Sequence, residues 1–262
     1  MKYRIGEVSK ILGISPDLLR YYERKGVVKP EKHDGNDYRY YDAWDINFLL
    51  DCLWFKNMGF SIEQTAKIVH IEGLDKLNGM LEANEDRLRE EIKRSQLLLR
   101  RSGEQRAELA TAKELLGKCE IAASPEHLRF LNRTDSEYKI GRETEKQARR
   151  WLEVMPLNHR CFVLSGDGRC SWGYSLGADY AAELGFAEGG LVERVPSKKC
   201  VHTVFKSAGG RDGFRQELLD YAREYAENAG LTRADNIFGA LTASVEENGV
   251  LHGIFEAWLP VE

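Results

Sequence analysis

Apolar positions recur at helical spacing from the first residues. Ile5, Val8, Ile11 and Leu12 fall on one helical face, and Gly13 ends that run. Ser15 follows as an N-cap with Pro16 at the first helical position, where a missing N–H costs nothing. Gly26 stops this second helix. Two short helices joined by a tight glycine-containing turn predict a helix-turn-helix. Next, "VVKPEKHDGNDYRYYD" places two β-prone pieces around Asp34 and Gly35, the pattern of a hairpin. "DAWDINFLLDCLWFKNMG" and "SIEQTAKIVH" then form a second helical pair, separated by Gly59, with Ser61 placed to cap the latter.

The pattern changes at residue 74. From there to residue 118 the chain holds no proline and is rich in helix formers. Leu81, Leu88, Ile92, Leu99, Leu109 and Leu116 follow a three-to-four spacing, interrupted on the same seam by Ser95, Ser102, Arg106 and Lys113. Unbroken, this helix would span roughly 65 Å. A helix of this kind pairs with a copy of itself in a coiled coil, or else stands as a solvated spacer. Residues 119–126 break the helix and read as a linker. Residues 127–262 then write one plan twice, as strand, helix and two strands. The predicted fold is therefore α+β: a winged helix-turn-helix domain over 1–73, a dimerising coiled-coil helix over 74–118, and a duplicated β-α-β-β ligand-binding domain over 127–262. Two such halves leave a cleft where they meet.

A length of 262 residues agrees with more than one domain. The net charge of −4 excludes a wholly basic nucleic-acid binder but leaves room for a local basic face. No apolar run is long enough to span a bilayer, so no membrane partner is expected. Cys52, Cys119, Cys161, Cys170 and Cys200 form no C-x-x-C pair, which argues against a zinc or iron–sulfur site, and no cofactor is expected; their odd number, with no secretion signal, suggests reduced thiols in a cytoplasm. No Ser-His-Asp order, metal motif or phosphate loop speaks for an enzyme.

On the helix from Pro16, Leu19 and Tyr22 share one face, suited to packing on the first helix. Asp17, Arg20, Tyr21 and Arg24 share another. Guanidinium forks take phosphate or a guanine edge, and a phenol can donate to phosphate. The hairpin adds Tyr38, Arg39, Tyr40 and Tyr41, and Lys56 is expected in the loop after the next helix. The alternative is that the tyrosines are core and the arginines solvated.

"IGEVSKILGISPDLLRYYERKGVVKP", then "YRYYD", then the long helix, resembles the MerR family of bacterial transcription regulators over residues 3 to about 116. The resemblance implies a homodimer on double-stranded palindromic promoter DNA. That DNA is bent and untwisted on activation so that RNA polymerase reads both promoter elements. It also implies DNA contacts at Arg20, Tyr21, Tyr38, Arg39 and Lys56. Arg24 joins Arg20 and Tyr21 on the polar face of the helix as a further candidate contact, as does the capping Ser15.

The C-terminal half resembles, in order and length, the gyrase-inhibitory-protein-like effector domain of multidrug-sensing members. That implies a small-molecule effector. In "VLHGIFEAWLPV", Leu251, Gly253, Phe255, Ala257, Leu259 and Val261 make one face, and His252, Ile254, Glu256 and Trp258 the other. A carboxylate between an isoleucine and a tryptophan suits an aromatic-lined pocket for a lipophilic cation, or else an ion pair on an exposed sheet face. Glu256 matches a pocket glutamate of those relatives, while a second falls at Gly239 here. Trp172 and Tyr174 share a face and are pocket candidates, with Ser171, Gly173 and Ser175 behind them; the reverse arrangement is equally allowed by the pattern. Phe238 is a further candidate, although for Phe238, Trp151 and Phe255 the core reading is stronger, and His252 is expected at the surface. A competing function is a hydrolase on a DNA-binding module, with Glu256 as general base.

Overall fold

A computed structural model describes residues 2–33, 36–208 and 216–262. It divides into two compact units, Met1–Arg94 and Ser95–Glu262.

The first unit contains β1 (Tyr3–Arg4), α1 (Ile5–Leu12), α2 (Pro16–Arg24), β2 (Glu31–His33), β3 (Asn36–Tyr41), α3 (Ala43–Asn57) and α4 (Ile62–Ile68). The caps lie where local chemistry demands. Gly13 takes a left-handed φ of 66° and donates its N–H to the Ser9 carbonyl. The Ser15 hydroxyl accepts the Leu18 N–H at 3.2 Å. Ser61 and Gln64 form a reciprocal capping box at the start of α4. The small sheet runs β1-β3-β2, and the expected turn at Asp34 and Gly35 lies outside the described residues. The core gathers Val8, Leu19, Tyr22, Tyr41, Leu49 and Cys52, all fully buried. Ile11, expected inside, is exposed; Val8 alone of α1's apolar face is fully covered.

The long helix, α5 (Leu74–Leu115), is continuous over 42 residues. It is not a compact unit of its own, because its two ends pack into different ones. In the first unit Asn84 donates to the Met58 carbonyl at 3.0 Å and Arg87 to that of Gly59 at 2.9 Å. In the second unit Leu97, Arg101, Ala112 and Leu115 are buried.

The second unit holds β4 (Cys119–Ala123), β5 (His127–Thr134), β6 (Glu137–Tyr138), α6 (Arg142–Glu153), β7 (His159–Leu164) and β8 (Cys170–Gly177). After these come α7 (Ala178–Glu183), β9 (Val192–Val195), β10 (Lys199–Ala208), α8 (Asp220–Asn228), β11 (Ile237–Glu247) and β12 (Val250–Pro260). The expected linker is therefore a strand: β4 pairs antiparallel with β10 from Cys119↔Thr203 to Ala123↔Lys199. The sheet order is β4-β10-β12-β11-β7-β8-β5-β6, with β9 also on β5. The duplication is visible in that order. β5-β8-β7 and β10-β12-β11 are equivalent three-strand blocks joined along β7 and β11.

Alternation along the strands sends one set of side chains under α6 and α8 and the other onto the face that meets α5. Under α8 lie Phe162, Phe205, Phe255 and Leu259; under α6 lie Phe130 and Leu176 around a fully buried Trp151. On this second face Ala112 and Leu115 of α5 pack on Val204 and Ile254. Of the expected apolar face of β12, Phe255, Ala257, Leu259 and Val261 are buried, whereas Leu251 at the hairpin end is exposed.

Candidate functional site

In the first unit, Tyr21 and Tyr22 face different environments, as their spacing predicts. Tyr22 is fully buried, and burial pushes its hydroxyl pKa up. Tyr21 is half-buried, with the Arg24 guanidinium 5.6 Å and the Lys25 ammonium 5.5 Å from its ring centre. Arg20 is exposed and held by Asp17 at 2.6 Å, one turn back. Tyr38 is exposed, with the Arg4 guanidinium 5.7 Å from its ring centre. Arg39 differs from a solvated contact: its Nε donates to Glu23 at 2.6 Å, and the Tyr41 hydroxyl donates to the other oxygen of the same carboxylate. Glu23 thus fastens the wing strand β3 to α2. Lys56 is exposed in the last turn of α3, not in the following loop, because the helix continues to Asn57.

In the second unit, a cavity of about 570 Å³ opens between the two halves of the sheet and α5. One wall is aromatic. Phe238 of β11 stands opposite Trp258 of β12 in register, and the His127 ring lies 5.5 Å from that of Phe238. The other walls carry carboxylates: Glu104 and Glu108 from α5, Glu126, Asp179 and Glu256. Among the described residues, no lysine, arginine or amide side chain lines it. Tyr180 of α7 donates its hydroxyl to Glu104 at 2.8 Å. Behind Glu108 sits the buried Arg101, donating to it at 2.8 and 3.0 Å. Burial by itself would raise the Glu108 pKa, but the hydrogen bonds from His159 and Arg101 outweigh it and hold the carboxyl below its usual range.

Glu256 accepts from His202 Nε2 at 2.8 Å, and the other ring nitrogen faces Glu120 at 2.9 Å. The His202 ring stacks flat on Trp258 at 3.8 Å. Burial works against the imidazolium, yet the two carboxylates more than offset it, and the His202 pKa is raised above 6.5. The protonated ring therefore stabilises the fold fully below pH 6.5, and that contribution fades as pH rises through the raised pKa. His127 carries the opposite sign, since burial lowers its pKa. The expected result is that the urea-midpoint difference between wild type and His202→Gln is largest near pH 6 and shrinks by pH 8.5. A pH-independent difference would show that His202 is not charged in the folded state.

Comparison with known proteins identifies the first unit. Residues 3–70 match the family model of the MerR HTH family regulatory protein. This stretch is a MerR-family helix-turn-helix domain. An HTH-type transcriptional regulator of Synechocystis sp. is 36% identical over 73 residues, which is 28% of this chain and 53% of that protein. The regulator HmrR of Sinorhizobium medicae is 35% identical over 65 residues, 25% of this chain and 44% of HmrR. The chain thus spans about half the length of the curated relatives it matches. The EcmrR chain of the cryo-EM EcmrR–DNA complex in EcmrR-RPo aligns over 99% of each chain at 17% identity, with a TM-score of 0.40.

All seven sequence-predicted DNA residues lie in the MerR-type unit, where Arg4, Lys25 and Glu23 join them as neighbours that the helical-face argument did not reach. The cavity brings together three of the five ligand candidates, Phe238, Glu256 and Trp258. Trp172 and Tyr174 are elsewhere: Trp172 packs among Phe162 and Phe255, and Tyr174 stacks on Trp151 at 6.5 Å. It is the small-residue face of β8, with Ser175, that meets the cavity. Glu104 and Glu108, missed from the sequence, carried one signal: two carboxylates at i, i+4 face the same way on a helix.

Proposed function

We propose that this chain is a dimeric, ligand-responsive transcription regulator of the MerR type, acting in the cytoplasm. In this reading it binds a palindromic promoter and activates transcription with RNA polymerase by deforming the DNA when a lipophilic cation occupies the C-terminal cavity. The DNA half rests on the MerR-family domain and the exposed Arg20, Arg24, Tyr38 and Lys56 within it. The ligand half rests on one observation: among the described residues, the cavity is lined by five carboxylates, by no lysine or arginine, and by a Phe238–Trp258 wall. Such a site favours a cation by Coulomb attraction and gives it ring faces and apolar area. Two of the carboxylates, Glu104 and Glu108, belong to α5, the same helix that runs back to Leu74. Occupancy of the cavity therefore acts on that helix directly. Ile92 and Leu99 on α5 are 58% and 76% exposed, apolar area of the kind that a coiled-coil partner covers. Among the described residues no helix is long and apolar enough to cross a membrane.

The test is to screen the full chain against lipophilic cationic dyes by quenching of tryptophan fluorescence, Trp258 being in the wall. Hits then go into in vitro transcription. Ligand-dependent transcript with the ligand recovered intact supports the reading; chemical loss of the ligand would favour the hydrolase. For the DNA side, Arg20→Ala is expected to weaken binding about tenfold, one base or phosphate contact. The site would be one selected from random DNA by wild type, with light scattering still reporting a dimer. Unchanged affinity would remove Arg20 from the interface.

A further inference from the structure

The cavity states more about its ligand than its charge. His127 is 9% exposed and forms part of the wall. Its Nδ1 lies 3.0 Å from the Pro125 carbonyl, which can only accept, so Nδ1 carries the proton. That leaves Nε2, on the opposite side of the ring, as an acceptor. Among the described residues no hydrogen bond reaches it. Nε2 is not sealed off from the cavity that His127 lines, so water can meet it when the cavity is empty, and an occupant that displaces this water leaves the lone pair unpaired unless it brings a donor. The surrounding groups point the same way. The carboxylates of Glu104, Glu108, Asp179 and Glu256 are acceptors, and the Tyr180 hydroxyl already spends its proton on Glu104.

We infer that the ligand is a protonated amine, a cation bearing N–H, and that His127 Nε2 accepts one of its hydrogens while the Phe238 and Trp258 rings and Glu256 hold the charge. This inference rests on the cationic reading of the cavity and narrows it. A quaternary ammonium or a phosphonium satisfies the carboxylates by charge but leaves Nε2 unpaired. His127 is therefore a specificity-determining residue that separates protic from aprotic cations. Burial lowers its pKa, which keeps the imidazole neutral and its lone pair available near pH 7. The Phe238 ring beside it places the N–H donor where the cation also meets a π face.

A matched pair of probes tests this by calorimetry on the full chain at pH 7: dibenzylammonium, with two N–H groups, and dibenzyldimethylammonium, with none. Wild type is expected to bind the first at least about tenfold tighter, the worth of one hydrogen bond to a charged group. In His127→Phe the ratio should fall to within about twofold, the quaternary probe binding as before. His127→Gln, which keeps an acceptor in the wall, should retain much of the preference; it also serves if the phenylalanine variant does not fold. Equal affinity of the two probes in wild type overturns the inference while leaving the cationic cavity standing. So does an unchanged ratio in a folded His127→Phe. Failure of both probes to bind wild type would remove the cationic reading, and this inference with it.

Discussion

Gly239→Glu is expected to destabilise the C-terminal unit by at least about 4 kcal/mol. A Cβ at this position would sit 2.0 Å from the backbone oxygen of Glu256 and 2.7 Å from the Phe162 ring. The strand partner's backbone cannot yield without breaking the β11–β12 ladder. The carboxylate would also be driven beneath the sheet, among Phe162, Phe205 and Phe255, with no cation to pair. Position 239 is thus not the place of a second cavity glutamate, although the family resemblance puts one there. The side chain facing the cavity is the next one, Ala240, opposite Glu256 in register. Ala240→Glu should fold, at a modest cost from two like charges across a strand pair. Urea unfolding followed by tryptophan fluorescence compares the two. A Gly239→Glu protein with the wild-type midpoint would contradict the described packing.

The second large effect concerns affinity. Glu256→Gln is expected to weaken a lipophilic cation about thirtyfold, roughly 2 kcal/mol, the low end for removing one partner of a desolvated charge pair. The low end applies because Glu256 already shares its charge with His202. Glutamine keeps a carbonyl oxygen for the His202 N–H, so the fold and the Trp258 stack should survive. A neutral isostere of the same ligand should lose less than about threefold. Equal losses for both would show that Glu256 shapes the cavity without contributing charge.

Local chemistry made much of the fold legible. Ser15, Pro16 and Gly26 bound α2 by capping rules that need no distant partner, and the i, i+3 spacing separated Tyr22 from Tyr21. The duplicated β-α-β-β order was readable because each strand carries its own alternation. Alternation, however, says only that a strand has two faces. Which face of β8 receives the helices depends on where Trp151 and Phe162 pack, which the alternation of β8 itself does not encode, and so Trp172 and Tyr174 sit opposite to the cavity for which they were candidates. Glu104 and Glu108 were hidden for the same reason: on an isolated helix they read as a solvated face, and only the sheet beneath makes them a wall. Lys56 shows the ordinary limit at a helix end, where one more turn turns a loop residue into a helical one.

The strand that follows α5 has a practical consequence. Gly117 donates to the Val204 carbonyl at 2.8 Å, and the Thr203 hydroxyl to that of Lys118 at 2.6 Å, so the chain passes from helix to sheet with almost no slack. Cutting the protein at residue 127, the seemingly natural boundary of a sensor fragment, would strip β4 from the sheet. The amides and carbonyls of β10 from Lys199 to Thr203 would become a raw margin, open to pairing with another molecule. Such a fragment would be prone to self-association and would have lost the carboxylates of Glu104 and Glu108. A faithful excised sensor has to begin within α5, no later than Ser95, where the chain's own packing divides.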